Sequence, residues 1–250
     1  MKKHTLASMV TLLSAPFLFA SSAQADTILG VYAGAGTWNA DYDGQAGDPC
    51  ITLKELGLKK QSNTFYYIAL EHPVPVLPNI RLTQTNISSK QTATVTKTFT
   101  INDTTFSGSE VVTSDFDLSH LDATFYYEIL DNWINLDLGI TARKFSGYVH
   151  ASTPTKTEKV NVDKTLPMLY LKVQFDLPFS GLSAGVEGNY VSYNKDKLTD
   201  YSAKVSYLFD SALDVGVEVG YRALKLTIDD KDITADVNLK GPYAALIAHF

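Results

Sequence analysis

Apolar and polar residues alternate along much of this 250-residue chain. The stretch LDVGVEVGY, residues 213–221, has leucine, valine or tyrosine at every odd position and aspartate, glycine or glutamate between them. A period of two places the apolar side chains on one face of a strand and the polar ones on the other. The same pattern recurs in LDATFYYEI (121–129), WINLDLGITAR (133–143), LYLKVQFDL (169–177) and YSAKVSYLF (201–209). These segments are predicted strands with one apolar and one polar face.

Weaker copies of the pattern complete a set of ten strands. They are LGVYAGAGTW (29–38), FYYIALE (65–71), NIRLTQT (79–85), LSAGVEGNY (182–190) and GPYAALIAHF (241–250). Most are close to the ~9 to 11 residues that a tilted transmembrane strand requires. A soluble β-sandwich also alternates, because its inner face is apolar and its outer face polar. Alternation by itself therefore does not separate the two architectures.

The lengths of the connections separate them. Short connections are predicted at 73–78, 130–132, 178–181 and 210–212, and longer ones at 40–63, 88–117, 150–161, 194–199 and 228–235. The two classes alternate along the chain, which is typical of an outer-membrane barrel with short periplasmic turns and longer outer loops. We therefore predict an all-β fold, a transmembrane antiparallel β-barrel of about 10 strands formed by residues 26–250.

Aromatic residues near the predicted strand ends fit the interfacial girdles of such a barrel. Those beside the short turns are Trp133, Phe175, Phe179, Phe209 and Phe250, and those toward the long loops are Trp38, Tyr148, Tyr190, Tyr193 and Tyr221.

The chain begins with features of a secretory signal peptide. Two lysines precede an apolar run from about residue 6 to residue 19, and Ala23-Gln24-Ala25 follows as a small-x-small cleavage signature. We predict cleavage between Ala25 and Asp26, which makes residues 1–25 the signal peptide. The residue directly after that site is aspartate and not cysteine, so a lipoprotein is not indicated.

Charge and cysteine content exclude several classes of function. Removal of Lys2 and Lys3 leaves 19 of the 21 basic residues against 27 acidic ones, a net charge of 19 − 27 = −8. Such a chain has no electrostatic reason to bind nucleic acid. The single cysteine, Cys50, permits neither an intramolecular disulfide nor a thiolate zinc cluster. We predict no cofactor and no metal site.

The last strand ends on an aromatic residue. Phe250, Ala248, Leu246 and Ala244 share one face of it. This arrangement resembles the signal on the last strand of Gram-negative outer-membrane barrels, which the barrel assembly machinery reads. The predicted localisation is the cell outer membrane, with its lipids and that machinery as partners.

Longer stretches resemble one family. They are WNADYDG (38–44), EHPVPVLPNIRL (71–82), GYRALKL (220–226) and the GPY…HF ending. Together they are similar to the uncharacterised outer-membrane barrel family catalogued as OMP_w_GlyGly. The resemblance spans the chain and implies an integral outer-membrane protein, and it brings no activity or functional site.

The polar faces of the predicted strands carry both signs of charge. The acidic residues expected in the lumen are Glu71, Asp122, Glu128, Asp137, Asp176, Glu187, Asp214 and Glu218, and the basic ones are Arg81, Arg143, Lys172, Lys204 and Arg222. Buried charges are tolerated mainly when they are paired, and wide aqueous channels need about 16 strands. We therefore predict a lumen plugged by a charge network.

Three functions stay open at this stage. A structural or surface-binding role is favoured, a small passive channel is the alternative, and a hydrolase at the rim is the least favoured. The hydrolase would use His120 with Asp115, Asp117 and Asp122, or His150, because histidine is a common general base. Serines are plentiful but none stands out, so we predict a protein that is not an enzyme, with an unknown surface ligand.

Two long connections have local signals. Residues 52–55 match a capping box and Gly57 follows Leu56, which predicts one short helix. The threonine-rich segment 92–100 is prone to form strands and is expected to extend the sheet above the membrane.

Overall fold

The computed structural model describes residues 29–209, 214–229 and 234–250. The predicted signal peptide, with its cleavage site between Ala25 and Asp26, lies outside the described residues. The predicted short turn 210–212 and part of the connection 228–235 lie outside them as well.

The described residues form strands joined by turns. The strands are β1 (Gly30–Ala46), β2 (Ile51–Thr52), β3 (Gln61–Glu71), β4 (Asn79–Asn86), β5 (Ser88–Thr94), β6 (Phe99–Ile101), β7 (Thr104–Phe106), β8 (Val111–Asp117), β9 (His120–Asp131), β10 (Ile134–Ser152), β11 (Thr157–Asp176), β12 (Leu182–Tyr193), β13 (Asp196–Phe209), β14 (Asp214–Asp229) and β15 (Thr234–His249). No helix in these parts of the chain is long and apolar enough to cross a membrane.

Ten of these strands close into an antiparallel barrel. Their order around the wall is β1, β3, β4, β9, β10, β11, β12, β13, β14 and β15, and β15 then pairs with β1 from Tyr32↔His249 to Ala46↔Ala235. These ten strands overlap all ten predicted segments, and the predicted fold class is confirmed. Closure leaves the barrel wall without a free edge, which is the condition for a sheet to cross a lipid bilayer.

An apolar belt surrounds the half of the wall nearest the short turns. Its outward side chains are widely exposed, for example Ile140 at 57%, Leu169 at 66% and Leu246 at 71%. About eight residues of tilted strand at ~3.3 Å per residue give the belt a height of roughly 20 Å, near the ~25 Å of outer-membrane barrels. Exposed apolar surface this continuous is the lipid-facing surface of a transmembrane barrel.

The two ends of the barrel differ. Among the described residues, the short connections, the start of β1 at Gly30 and the C-terminal Phe250 lie at one end, here called the turn end, and the long connections lie at the other, the loop end. The aromatic residues predicted beside the short turns are exposed on the outer wall, including Trp133 at 60% and Phe179 at 107%. At the loop end, Tyr190, Tyr193 and Tyr221 are exposed outward as predicted.

Two girdle predictions at the loop end are wrong. Trp38 is fully buried and points inward, and its indole N–H donates to the Gly241 carbonyl at 3.1 Å. Tyr148 lies beyond the belt, where its hydroxyl donates to Asp115 at 3.1 Å. Both errors arose because the strands continue well past the belt, so a position near a predicted strand end is not at the lipid boundary.

Much of the predicted loop sequence is strand. β10 and β11 pair from Ile134↔Phe175 to Ser152↔Thr157, which leaves only residues 153–156 as a turn in the predicted loop 150–161. The β12–β13 connection is similarly reduced to residues 194 and 195. Residues 92–94 of the threonine-rich segment lie in β5, which pairs with β8, and β8 pairs with β10 above the belt. Residues 95–98 are not strand, and residues 99 and 100 belong to β6, which pairs with β7 in a separate sheet. The expectation that the segment 92–100 extends the sheet is therefore met by its first three residues.

The loop end is a folded head with an apolar core. We define the head as the barrel wall beyond the belt together with residues 47–60 and 87–118. Large side chains of the wall, among them Trp38, Tyr42, Leu224 and Leu239, pack with residues of the two connections. Those from the connections are Ile51, Leu53, Leu56, Leu58, Ile87, Val95, Phe99, Ile101, Phe106, Val112 and Phe116. The interior of the barrel is therefore filled with apolar side chains at this end.

The first connection has the predicted capping box. Thr52 Oγ1 donates to Glu55 Oε2 at 2.8 Å, and the Glu55 amide donates back to Thr52 Oγ1 at 3.2 Å. The chain makes one turn there, with Leu56 N bonded to Thr52 O at 3.2 Å, and it then reverses at Gly57, whose φ is +79°. The predicted helix is therefore wrong, because a single turn ends before a helix can propagate.

Candidate functional site: the charged lumen

The polar residues that alternate with the belt residues point into the lumen. On β9 and β10, for example, Asp122 and Arg143 are direct cross-strand partners, and both are buried while the outward Leu121 and Lys144 are exposed. The predicted charges lie in three layers between the head and the turn end.

The first layer lies directly beneath the head. Arg143 Nε and Nη2 donate to the two carboxylate oxygens of Asp122 at 2.8 and 2.7 Å, and Nη2 also donates to Asp200 Oδ2 at 2.7 Å. Arg222 Nε and Nη2 donate to the same Asp200 at 2.9 and 2.7 Å. Because β10 and β13 are separated by two strands in the wall, the Arg143–Asp200 contact crosses the lumen.

Asp200 was missed by the sequence analysis. It is 4% exposed and joins the two arginines of the first layer. The predicted strand began one residue later, at Tyr201, and Asp200 fell between that strand and the predicted loop. Ser202, Lys204 and Ser206 alternate with outward residues on this strand. If the same alternation is continued by one step, it places Asp200 in the lumen.

The second layer lies nearer the middle of the barrel. Arg81 donates to Glu187 at 3.0 Å, and Lys204 contacts Glu187 at 3.2 Å and Glu218 at 3.1 Å. Arg81 comes from β4 and Glu187 from β12, which lie on opposite sides of the ten-stranded wall. Tyrosines complete the layer: the Arg81 guanidinium lies 4.1 Å from the ring centre of Tyr67, and the Tyr243 hydroxyl donates to Glu218 at 2.8 Å.

The third layer lines the turn-end half of the lumen. Lys172 Nζ donates to Asp137 Oδ2 at 2.9 Å, and this is a cross-strand pair of β10 and β11. The remaining carboxylates there accept hydrogen bonds from neutral groups. Tyr126 donates to Glu71 at 2.7 Å, Asn79 to Glu128 at 3.1 Å, and Asn135 to Asp176 at 2.5 Å. Asp214 lies at the turn end, 4.0 Å from His249 Nδ1.

Two cavities lie between the layers. A small one of about 60 Å³ is lined by residues of the first two layers, among them Arg81, Asp122, Arg143 and Glu187. A larger one of about 740 Å³ extends from the second layer to the turn end, where His72, Pro73, Gly181 and Leu182 form its rim. The smaller cavity therefore lies beneath the head, and the larger one lies on the turn-end side of the second layer.

The deeper charges retain some unsatisfied groups. Arg81 Nε and Arg143 Nη1 are buried donors without a hydrogen-bond partner among the described residues. Buried donors of this kind are usually satisfied by water, and the small cavity that both arginines line has room for about two water molecules at ~30 Å³ each.

Of the residues suggested for a rim hydrolase, His120 lies beneath the head and His150 is the cross-strand partner of Asp115 on β8. His120 is 1% exposed, its Nδ1 lies 2.9 Å from the Leu118 carbonyl, and its ring packs 5.1 Å from the Phe145 ring. His150 contacts Thr157 at 3.0 Å. In the described residues no three histidine, cysteine or carboxylate side chains are grouped for a metal ion.

Hydrogen bonds within the head lower the pKa of two of its carboxyl groups. Hydrogen bonds from the hydroxyls of Thr96 and Thr52 lower the pKa of Glu55 to about 2. Hydrogen bonds from Thr104 and Asn102 similarly lower the pKa of Glu158. Glu55 thus joins the segment 47–60 to the segment 87–118. Glu158 joins the segment 87–118 to the β10–β11 hairpin.

The C-terminal residues close the barrel wall. The backbone N–H groups of Val31 and Phe250 each donate to the other residue's carbonyl, at 3.2 and 3.0 Å. Phe250 and Leu246 are exposed at 52% and 71%, and Ala244 and Ala248 lie on the same face of β15. The four residues proposed as an assembly signal therefore form one apolar row at the turn end of the outer wall.

Solved structures match most of the chain at low sequence identity. A Pseudomonas aeruginosa FadL homologue matches 89% of this chain and 90% of its own at 10% identity, with a TM-score of 0.38. The outer membrane protease OmpT from Escherichia coli matches 88% of this chain and 95% of its own at 10% identity, with a TM-score of 0.37. No protein-family model and no curated protein sequence matches the chain. The fold assignment rests on the closed barrel itself, and the resemblance to the OMP_w_GlyGly family stays a prediction.

Proposed function

We propose that this protein is an integral outer-membrane barrel without an open pore, with a structural or surface-binding role. The turn end would face the periplasm and the head the cell exterior, because outer-membrane barrels place short turns in the periplasm and longer loops outside. The belt would contact outer-membrane lipids, and the row ending at Phe250 would bind the barrel assembly machinery during insertion.

The observation that carries this proposal is that two successive barriers fill the lumen. The apolar core of the head closes the loop end, and the first charged layer, with Arg143 bonded across the lumen to Asp200, lies directly below it. A hydrated ion would have to displace a packed core and then separate ion pairs that have lost their own hydration. Both steps are costly.

The proposal assigns no catalytic activity. His120 lies beneath the head with its ring packed on Phe145, so a substrate at the rim would not reach it without an opening of the head. The exposed surface of the head, which includes the β5–β8 extension, is the part that a surface ligand would contact.

Conductance in a planar lipid bilayer tests the proposal. The wild-type barrel is expected to have no steady conductance. Arg143→Ala combined with Arg222→Ala removes both cations of the first layer and should be less stable, but it should still conduct little because the apolar core of the head remains packed. Steady, ion-selective conductance of the wild type would instead support the passive channel, whose lining charges remain hydrated and mainly tune selectivity.

Localisation has its own test. Protein extracted with detergent from outer membranes should be rich in β-structure and should migrate faster on a gel before boiling than after it. The reason is that a closed barrel satisfies every backbone hydrogen bond internally and therefore resists detergent. Recovery of the protein from the soluble periplasmic fraction would contradict the proposed location.

A further inference from the structure

The large cavity at the turn end has an uneven charge. The acidic residues on its walls outside the second layer are Glu71, Glu128, Asp131, Asp137 and Asp176, and Lys172 is the one lysine or arginine among the described residues of that part. The remaining basic lining residues, Arg81 and Lys204, are paired in the second layer with Glu187 and Glu218. Five carboxylates against one ammonium leave a deficit of positive charge in the cavity.

Two buried acceptors in this cavity have no donor. Asp137 is fully buried, and its Oδ1 has no hydrogen-bond partner among the described residues, although Oδ2 accepts from Lys172. Asn135 Oδ1 is likewise buried without a partner. Both residues line the cavity and lie two positions apart on the inward face of β10. Buried acceptors normally have a partner, so the walls are built for a ligand or waters that donate hydrogen bonds.

Tyrosine rings form the rest of the wall. Tyr32, Tyr67, Tyr126 and Tyr170 line the same cavity, and the Tyr126 and Tyr170 rings lie 5.8 Å apart at an angle of 55°. Aromatic faces attract organic cations electrostatically, and they also accept the methylene groups between charged centres. Carboxylates, orphaned acceptors and aromatic faces together suit a cation that has N–H donors and apolar spacers.

The spacing of the acidic groups distinguishes between kinds of cation. A metal ion needs several oxygen ligands at one point, and the described residues contain no group of three candidate metal ligands. Asp137 pairs with Lys172 and Asn135 with Gln174, so Asp176 lies about four residues nearer the turn end than Asp137. At ~3.3 Å per residue this is a separation of roughly 13 Å along the strands. An elongated ligand with amines at intervals matches such a distribution.

We propose that the turn-end cavity binds a linear aliphatic polyamine from the periplasmic side. One terminal ammonium would donate to the Asp137 and Asn135 oxygens, the methylene segments would lie against the tyrosine rings, and the other amines would contact the carboxylates nearer the rim. The site lies below both barriers of the lumen, so it does not depend on whether the barrel conducts.

Calorimetric titration of the refolded protein in non-ionic detergent at pH 7 tests this site, with spermidine as the probe. We expect spermidine to bind saturably and more tightly than putrescine, because putrescine has one amine fewer. Spermidine binding should weaken as salt is added. Glu128→Gln and Asp131→Asn each remove one cavity carboxylate and should each weaken spermidine binding by about fivefold, the Coulomb energy of a contact pair in water. Asp103→Asn, an exposed change in the head, is the matched control and should bind as the wild type does.

A second measurement keeps the test informative if one variant folds poorly. Spermidine should raise the Tm of the wild type with increasing concentration, because a ligand that binds only the folded state stabilises it, and it should raise the Tm of Asp131→Asn less. The inference is overturned if the titration with spermidine gives no saturable heat of binding. It is also overturned if Mg²⁺ binds to the cavity as tightly as spermidine does. Unchanged affinity in both cavity variants would also reject it, as would tight binding of a lysine-rich peptide in place of spermidine.

Discussion

Arg143 and Asp122 face each other on adjacent strands and share two parallel hydrogen bonds, from Nε to Oδ1 at 2.8 Å and from Nη2 to Oδ2 at 2.7 Å. Nη2 makes a further contact of 2.7 Å with Asp200 across the lumen. A bidentate pair fixes the plane of the guanidinium, and the third contact uses that fixed plane to connect two sides of the barrel. This arrangement makes Arg143 the link between its neighbouring strand β9 and β13, which lies three places further around the wall.

Arg143→Ala should strongly destabilise the barrel. The substitution leaves Asp122 without its bidentate partner and removes one of the two arginines that neutralise Asp200. Removal of one member of a buried ion pair typically costs about 3 to 5 kcal/mol. The measurement is the free energy of unfolding in urea, in lipid vesicles or detergent, followed by tryptophan fluorescence.

The neighbouring residue supplies a matched control. Lys144 has its side chain on the outside of the same strand, where it forms an exposed ion pair with Asp163. Exposed ion pairs contribute only about 0 to 1 kcal/mol to stability. Lys144→Ala should therefore lower the free energy of unfolding by no more than about 1 kcal/mol. Equal effects of the two alanine substitutions would show that the lumen pair is hydrated and not structural.

The two tryptophans should report opposite environments. Trp133 is 60% exposed on the outer wall at the turn end, whereas Trp38 is fully buried inside the head above Arg222, whose guanidinium lies 4.9 Å from the indole ring centre. Brominated lipids should therefore quench the fluorescence of Trp38→Phe, which retains Trp133, much more than that of Trp133→Phe. Strong quenching of the variant that retains Trp38 would return that residue to the lipid interface.

The strands and their faces were predictable because lipid and lumen impose opposite requirements on alternate residues. Once one apolar belt residue of a strand is recognised, the inward position of residues such as Asp122, Arg143 and Glu187 follows from alternation. The requirement no longer applies beyond the edge of the belt, where the outer face of the wall is polar. Asn39 and Asp41, for example, point outward and are exposed on β1 beyond its apolar positions. The strands continue there outside the membrane. In the sequence, such a strand with two partly polar faces looks the same as a loop with scattered apolar residues.

The head was not predictable for a related reason. Its core combines Phe99 and Phe106, stacked with ring centres 5.0 Å apart, with side chains of the distant strands β1, β14 and β15. Each connection contributes apolar residues without a regular period, since they pack inward from a short hairpin and a single turn. The contacts that make them a core are long-range, so no local pattern indicates them.

The capping box in the head should make one segment sensitive to acid. The carboxylate of Glu55 accepts hydrogen bonds from Thr96 at 2.7 Å and from Thr52 at 2.8 Å, and these lower its pKa to about 2. A depressed folded-state pKa stabilises the fold above the ordinary pKa of 4.5, and that stability is lost as the pH falls from about 4.5 toward 2. Hydrogen exchange in residues 51–58 should therefore lose protection across this range.

Glu55→Gln separates this effect from general acid unfolding. The amide of glutamine does not titrate, so the variant should have weaker protection in residues 51–58 at neutral pH and no added loss between about pH 4.5 and 2. The wild-type β10–β11 hairpin serves as an internal reference. An identical pH profile in wild type and variant would assign the acid sensitivity of the segment to other groups.

Phe250 is expected to matter more for insertion than for stability. It is 52% exposed on the outer wall, and Phe175, another aromatic of the turn end, is similar at 46%. Loss of either ring removes part of an interfacial contact, worth about 1 to 2 kcal/mol at most, so Phe250→Ala and Phe175→Ala should unfold at similar urea concentrations after refolding.

In cells, however, Phe250→Ala alone should accumulate outside the outer membrane if the terminal aromatic is the residue that the assembly machinery reads. The measurement is the fraction of each variant in outer-membrane extracts that migrates as folded barrel before boiling. Equal insertion of the two variants would reduce Phe250 to a packing residue of the girdle.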